Sequence, residues 1–328
     1  MLSPASKFVF IGMICAGAIA AVIPAAAGPA IGQFETKDLE SDPGEMQFQS
    51  QNAISFGQPK RHIKQPAPDE LAFDDNSVTR ERYALEMQMS IATWFRTRVG
   101  VEFEKERLDD PGSVARANAF ENLNLTGVAI EGVFILVPVK DNGIGIGLLT
   151  EYDAAVRGGG SLFSAGPIIQ AVAGPWTALA NLLVVQHMGS ADPTGLTPPD
   201  RKRDFAYAAQ LQYTYSPAWA LALEAYGTVD RIGNSGTRSD ENRLFGNFDQ
   251  HRIGPVVYYR FDPHGSAGNV KSAKASVTHV GQDVGDGKPD AKDDDDKKSS
   301  VSVGLGLLFG LNKNTPAESL KLSVEYNF

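Results

Sequence analysis

The chain has 328 residues, of which 42% are hydrophobic and 21% charged, and its formal net charge is −9. An acidic chain is a poor nucleic-acid binder, because it lacks the excess of Lys and Arg that neutralises phosphates. Its charges are scattered along the sequence, which excludes a helical membrane bundle but leaves a β-barrel open, since barrel strands alternate apolar and polar residues. The single cysteine, Cys15, excludes an intramolecular disulfide and a cysteine-based zinc site.

The first 27 residues have the pattern of an export signal. Lys7 precedes an apolar run over 8–27, which ends in three alanines before Gly28. A basic start, an apolar centre and a small-residue end are typical of a secretory signal peptide. A membrane anchor is the alternative, since about 20 apolar residues could span a bilayer, but Pro24 and the alanines favour cleavage. We therefore predict that residues 1–27 are a cleaved signal peptide.

Residues 28–78 are rich in Pro, Gln, Asp and Gly and show little periodicity. Such composition is typical of segments that bury too little apolar surface to fold by themselves. We predict an N-terminal linker in the periplasm, mostly disordered or loosely packed.

From residue 79 onward the sequence follows a period of two. Apolar residues at 83, 85, 87, 89 and 91 alternate with polar or small ones, and similar runs recur up to residue 309. This pattern predicts strands with one apolar and one polar face. The last run, 320–328, alternates without a fault and ends on Tyr326 and Phe328. An aromatic ending of this kind resembles the signal by which the assembly machinery recognises outer-membrane barrels, and aromatic rings suit the membrane interface.

These observations predict an all-β fold, an antiparallel transmembrane β-barrel over residues 79–328. At about 20–25 residues per strand and connection, it should have 10–12 strands, and twelve is favoured. The stretches 120–137 and 163–187 are less regular, and apolar residues on both faces near 179–185 leave a short helix as the alternative. If Phe328 lies in the periplasm, the strand directions place 262–298 on that side too.

Polar side chains on the predicted inner faces indicate a polar pore, whose charges would set ion selectivity. The alternative is an ion-pair network that fills a narrow barrel. The lumen-facing candidates are Glu86, Arg98, Glu102, Glu151, Glu224, Arg252, Tyr258, Arg260, Lys321 and Glu325, with Glu104 and Asn181 on the same faces.

No catalytic residue, metal site or cofactor is predicted. The five histidines lack metal-ligand spacing, and only His251 beside Asp249 offers a starting point for a hydrolase. The acidic stretch Asp283–Asp296 lacks the regular spacing of a calcium loop and is predicted to be a solvated loop. Alternating glycines at 143, 145 and 147 are not a phosphate loop, because no helix start follows them.

The stretches 219–227, 249–261, 304–311 and 320–328 resemble a bacterial outer-membrane β-barrel family labelled after the meta-pathway of phenol degradation. The resemblance covers about the C-terminal third of the chain, with a weaker echo at 91–97. It implies a Gram-negative outer-membrane transporter for small, aromatic or hydrophobic molecules. The long acidic insertion before Val301 departs from the family's pattern and leaves a shared ligand open.

The expected function is therefore a passive channel or transporter in the outer membrane. A closed barrel with a structural or surface-interaction role is the first alternative, and an outer-membrane hydrolase is the second. The expected partners are outer-membrane lipid, an unidentified small solute and the barrel assembly machinery, which would read the C-terminal strand.

Overall fold

The computed structural model describes residues 34–57, 77–108, 122–140, 142–156, 160–189, 201–235, 249–261, 263 and 299–328. It is a closed antiparallel barrel in which each strand pairs with its neighbours in the chain and the first strand pairs with the last. The predicted all-β, twelve-stranded barrel is confirmed. The strands are β1 (Met46–Phe56), β2 (Ser77–Ala92), β3 (Phe95–Leu108), β4 (Asn124–Val137), β5 (Ile144–Ala155), β6 (Ser161–Ala173), β7 (Trp176–Met188), β8 (Arg203–Thr214), β9 (Trp219–Val229), β10 (Gln250–Phe261), β11 (Ser300–Gly310) and β12 (Glu318–Asn327).

The first strand lies inside the segment predicted to be a linker, so that prediction is wrong for residues 46–56. β1 pairs with both β2 and β12, and Phe328 and Met46 exchange backbone hydrogen bonds of 3.0 and 3.3 Å. The pattern was hidden because Ser50 and Asn52 interrupt the apolar outer face. The other eleven strands begin at Ser77 or later, at the end of the predicted linker or beyond it. Residues 1–33, which include the predicted signal peptide, lie outside the described residues.

The helix alternative near 179–185 is also wrong, because this stretch belongs to β7. Leu179 and Val185 are buried on the inner face, whereas Val184 is exposed on the outer face. Both faces are apolar here because the lumen beside β7 is itself partly apolar. Among the described residues, no helix is long and apolar enough to cross a membrane.

The two ends of the barrel differ in their connections. The C-terminal rim, which carries Met46 and Phe328, has short turns such as Gly174–Pro175 between β6 and β7. The strand directions also place both ends of the 262–299 connection at this rim, as predicted for the acidic insertion. The opposite end, here called the loop rim, carries the connections after β1, β3, β5, β7, β9 and β11.

The outer surface is suited to lipid. Large apolar side chains such as Leu85, Leu221 and Leu322 are exposed on it. All three tryptophans lie at the C-terminal rim, where Trp176 and Trp219 pack on Tyr213 and Tyr259 with ring centroids 4.9 and 4.6 Å apart. An apolar band bounded by aromatic rings is the surface that a bilayer requires of a transmembrane barrel.

Candidate functional site in the barrel lumen

The alternation predicted from the sequence places all ten lumen candidates on inner faces. Glu224 is fully buried, and Arg98, Arg252 and Lys321 are nearly so. The structure brings these residues together in two clusters, described below, rather than in one ring of charges. Five of the candidates stand outside those clusters: Glu102, Glu151, Arg252, Arg260 and Glu325. Arg260 Nη2 donates to Ser300 Oγ at 2.9 Å, and Glu325 accepts from Gln49 Nε2 at 3.3 Å.

The lumen is not empty, because residues 34–41 run inside it; we call them the lumen segment. It enters at the C-terminal rim, where Ser41 Oγ donates to the Ala92 carbonyl at 2.6 Å. Deeper in the barrel, Asn181 makes a paired contact with the Lys37 backbone, accepting from its N–H at 2.6 Å and donating to its carbonyl at 2.9 Å. Gln170 Oε1 accepts from the Leu39 N–H at 2.8 Å. Wall side chains thus replace the strand partners that the segment lacks.

An arginine on the wall anchors the charged part of the segment. Arg98 Nη1 lies 2.8 Å from Glu35 Oε2 and 2.7 Å from Glu86 Oε2, and Nη2 pairs with Glu131. Lys37 Nζ pairs with Glu35 and lies 3.3 Å from Glu131. We call these five residues the Arg98 cluster. Two cations shared among three carboxylates tie the segment to β2, β3 and β4.

A second arginine holds the next acid of the segment. Arg96 Nη1 donates to Asp38 Oδ1 at 2.5 Å and to the Glu40 carbonyl at 2.6 Å. Arg96 is 4% exposed, so the ion pair is shielded from water and less weakened by salt than a surface pair.

Leu39 packs against the barrel wall near the C-terminal rim. It packs with Val133, Ile135, Leu149 and Ile168, all buried. Gly145 and Gly147 form the groove that receives it, since a Cβ on Gly145 would lie 2.9 Å from Leu39 Cδ1. The alternating glycines noted in the sequence therefore make room for the lumen segment.

The opposite wall carries the second cluster. Glu224 accepts from Lys321 Nζ at 2.7 Å, from Tyr226 Oη at 2.5 Å and from Gln210 Nε2 at 2.8 Å, and it also bonds Tyr258. We call this the Glu224 cluster. A buried carboxylate with four donors, one of them cationic, has its desolvation compensated by its neighbours.

Phe34 joins the lumen segment to this second cluster. Its ring lies 5.6 Å from the Tyr226 ring, and the Arg252 guanidinium stacks 4.5 Å from its centroid. Arg252 donates to Gln250 Oε1 at 3.0 Å and to Ser319 Oγ at 3.4 Å. Phe34 also packs against Leu308, near the end of β11 at the loop rim. The segment therefore spans much of the height of the barrel.

A cavity remains between the lumen segment and strands β5 to β8. It opens to solvent, and its empty space of about 550 Å³ includes the open solvent at its mouth. Its lining includes Glu35 and Lys37 from the segment, Glu151 and Asp153 from β5, and an apolar wall described below. This cavity lies on the side of the lumen segment that faces β5 to β8.

Near the loop rim, Lys202 bridges two carboxylates. Its Nζ lies 3.0 Å from Asp204 Oδ2 and also pairs with Asp230. Burial acts to lower the pKa of Lys202, but Asp204 and Asp230 outweigh it and raise that pKa above its ordinary value. His187 Nε2 lies 2.7 Å from Asp204 Oδ2. This network fixes the β7–β8 and β9–β10 connections to each other.

The histidine considered for hydrolysis packs on the barrel wall instead. His251 stacks on Tyr207 at 5.9 Å, and its Nδ1 lies 3.1 Å from Tyr207 Oη. Asp249 Oδ2 is 4.0 Å from His251 Nε2 and Oδ1 accepts from the Asp230 N–H at 2.8 Å. The other hypotheses about loops, His264, His279 and Asp283–Asp296, fall outside the described residues.

Tyr326 and Phe328, the predicted assembly signal, lie on the outer face at the C-terminal rim. Their rings stack at 5.4 Å and Phe328 is 44% exposed. Both rings are therefore accessible from the side of the barrel that lipid or an assembly partner would meet.

Comparisons with known proteins address the fold. No protein family and no curated protein matches the chain. Among solved structures, an outer membrane channel from Pseudomonas putida F1 has a TM-score of 0.51 at 11% identity, over 89% of this chain and 98% of that one. The chain has the fold of an outer-membrane β-barrel.

Two further outer-membrane barrels are similar at lower scores. The NanC porin has a TM-score of 0.44 at 9% identity, over 86% of this chain and 98% of that one. The translocator domain of the autotransporter NalP from Neisseria meningitidis has a TM-score of 0.43 at 8% identity, over 88% and 89% of the two chains.

Proposed function

We propose that this protein is a passive outer-membrane channel, narrowed from within by its own lumen segment. The observation that carries the proposal is the polar lumen, which keeps a small cavity open to solvent beside that segment. Charged groups on an inner wall are costly to bury, and water or a passing solute in the cavity relieves that cost. The similar structure from Pseudomonas putida F1 is an outer membrane channel, and this chain shares its fold.

The chemistry of the permeating solute belongs to the same proposal. The family resemblance of the C-terminal strands implies small aromatic or hydrophobic compounds. Leu149, Leu162 and Leu183 give the cavity apolar surface for such a body. Catalysis has no part in the proposal.

The proposal includes the route to the membrane. Residues 1–27 direct export and are removed, and the C-terminal rim faces the periplasm. The assembly machinery reads Tyr326 and Phe328, and lipid covers the outer face. Removal of Phe328 should reduce the folded, heat-modifiable form in outer-membrane fractions, while removal of the acidic stretch 283–296 should not.

Single-channel recording tests the proposal. The mature chain, refolded and checked by its heat-modifiable gel shift, should show small discrete conductance steps in planar bilayers. Deletion of residues 34–41 should raise the conductance several-fold, because those residues fill the lumen. The proposal would be contradicted if the folded wild-type protein shows no conductance while the deletion variant conducts.

That contrary result would favour the second candidate, a closed barrel with a structural or surface role. The observation in its favour is the number of contacts that hold the lumen segment, above all those of Arg98, Asn181 and Gln170. In that case the deletion variant serves as a positive control, showing that the recording detects an open lumen.

A further inference from the structure

Phe34 lies in a slot that is shaped for an aromatic ring. The buried residues around it come from five strands and are apolar and mostly small: Ala53, Ala84, Ala208, Tyr226 and Leu308. Larger polar side chains stand next to the alanines on the same inner faces, such as Gln51 beside Ala53 and Glu86 beside Ala84. The alanines therefore leave a space that the phenyl ring fills, with Phe34 only 3% exposed. We call this space the Phe34 slot.

Arg252 covers the ring of Phe34 and has no acidic partner. Its guanidinium lies 4.5 Å from the ring centroid and donates to two neutral oxygens, Gln250 Oε1 and Ser319 Oγ. Among the described residues, no carboxylate forms an ion pair with it, although the side chain is nearly buried. A buried cation that meets only neutral groups keeps a desolvation cost, which an anion can offset.

The surroundings of Arg252 favour a negative group. The charges that act on it most strongly are those of Arg82 and Arg80, and both are positive. Both of these arginines have carboxylate partners of their own on β3, and Glu224 is paired with Lys321. These acids are thus already engaged by other cations, whereas the charge of Arg252 is not.

We infer that the Phe34 slot is a binding site for small aromatic carboxylates, and that Phe34 occupies it as a competitor built into the chain. The ring of the solute takes the place of the phenyl ring against Tyr226 and the alanines, and its carboxylate meets the guanidinium of Arg252. This inference rests on the proposed function and names the class of solute. Because solute and Phe34 exclude each other, each lowers the affinity of the slot for the other by the same factor.

Calorimetric titration of the refolded chain in detergent tests the inference without a membrane. The probes are benzoate, benzyl alcohol, which has the ring without the charge, and acetate, which has the charge without the ring. Phe34→Ala should bind benzoate about tenfold or more tightly than wild type does, because the tethered competitor is gone. It should also bind benzoate about tenfold more tightly than either other probe.

Two outcomes of this titration would overturn the inference. Equal affinity of wild type and Phe34→Ala for benzoate, or no binding by either, would mean that benzoate does not use the slot. Equal affinity of Phe34→Ala for benzoate and benzyl alcohol would mean that the variant has only an apolar hole, without a site for the carboxylate.

Matched variants in the Phe34→Ala background locate the carboxylate. Arg252→Gln should weaken binding of benzoate about tenfold and leave that of benzyl alcohol unchanged. Arg203→Gln removes the same charge from an exposed position at the start of β8 and should leave both unchanged. Undiminished binding of benzoate after Arg252→Gln would overturn the assignment. If that variant loses its heat-modifiable shift, the preference of Phe34→Ala for benzoate over benzyl alcohol decides.

The two proposals fail separately. Conducting barrels whose Phe34→Ala variant binds benzoate and benzyl alcohol alike would leave the channel in place and remove the carboxylate site. Silent bilayers together with the expected preference for benzoate would remove the channel and leave the site.

Discussion

The two sides of the lumen treat buried carboxylates in opposite ways. Glu224, at the β9 wall, has four donors and a cationic partner, Lys321. Glu151 and Asp153, on β5, have none among the described residues and face a cavity. In the first arrangement the wall itself supplies partners for the buried carboxylate, whereas in the second the two carboxyl groups have no such partners among the described residues. Unfolding measurements on matched variants can test this difference.

The largest effect is expected at the Glu224 cluster. Glu224→Ala should lower the free energy of unfolding by about 3–5 kcal/mol, because it leaves Lys321 buried without a counter-charge. Chemical unfolding in lipid vesicles, followed by the heat-modifiable gel shift, measures this. Glu224→Gln combined with Lys321→Met should restore most of the loss; a double variant as unstable as the single one would show that the charge is not the cause.

A smaller loss is expected where the lumen segment meets the wall. Leu39→Ala removes the side chain that packs on Val133 and Ile168, and should weaken docking of the segment by about 2 kcal/mol. The readout is longer or more frequent high-conductance openings in planar bilayers. Gly147→Val, which fills the groove for Leu39, should have the same effect; opening rates equal to wild type in both variants would contradict the packing described here.

Tyr207→Phe should have a modest effect on stability. The hydroxyl is 3.1 Å from His251 Nδ1, and a neutral hydrogen bond contributes about 1 kcal/mol. The stacked rings remain, so conductance should not change. The midpoint of unfolding, compared with that of wild type, checks this; a loss several times larger would mean that the pair does more than pack.

The smallest effect completes the comparison. Glu151→Gln should change the free energy of unfolding by no more than about 0.5 kcal/mol, because no partner is left unpaired. The same unfolding assay as for Glu224→Ala is the appropriate measurement. A loss of unfolding free energy as large as that of Glu224→Ala would show that Glu151 has a structural partner. The two walls would then not differ in how they hold buried carboxyl groups.

Much of the barrel could be predicted from periodicity. Strands such as 320–327 alternate regularly, because one face meets apolar surroundings and the other a polar lumen. β1 was not predicted as a strand, because Ser50 and Asn52 lie on its outer face. There Asn52 Nδ2 donates to the Leu322 carbonyl at 3.1 Å. A pattern of neighbouring residues does not show that a polar residue has a hydrogen-bond partner at the other end of the chain.

For the candidate site, the sequence predicts only which residues lie on the inner faces of the strands. Alternation identified Glu224, Lys321 and Arg98 as inward, yet their separation into two clusters depends on register between strands far apart in sequence. The lumen segment could not be predicted, because residues 34–41 have no period and their position depends on wall groups such as Asn181 and Gln170. The glycines at 145 and 147 were the available signal, since alternating glycines on an inner face leave a groove to be filled.

The seam between β1 and β12 has a consequence for how the barrel is made. The seam joins the first and last strands, so it closes a loop that contains nearly the whole chain, and such long-range closure is slow. The lumen segment is connected to β1 by only residues 42–45, and its anchors Asn181 and Gln170 are on β7 and β6. Docking onto a half-built wall would hold β1 close to where β12 arrives. The same residues that narrow the finished lumen are therefore placed to act as a template for its closure.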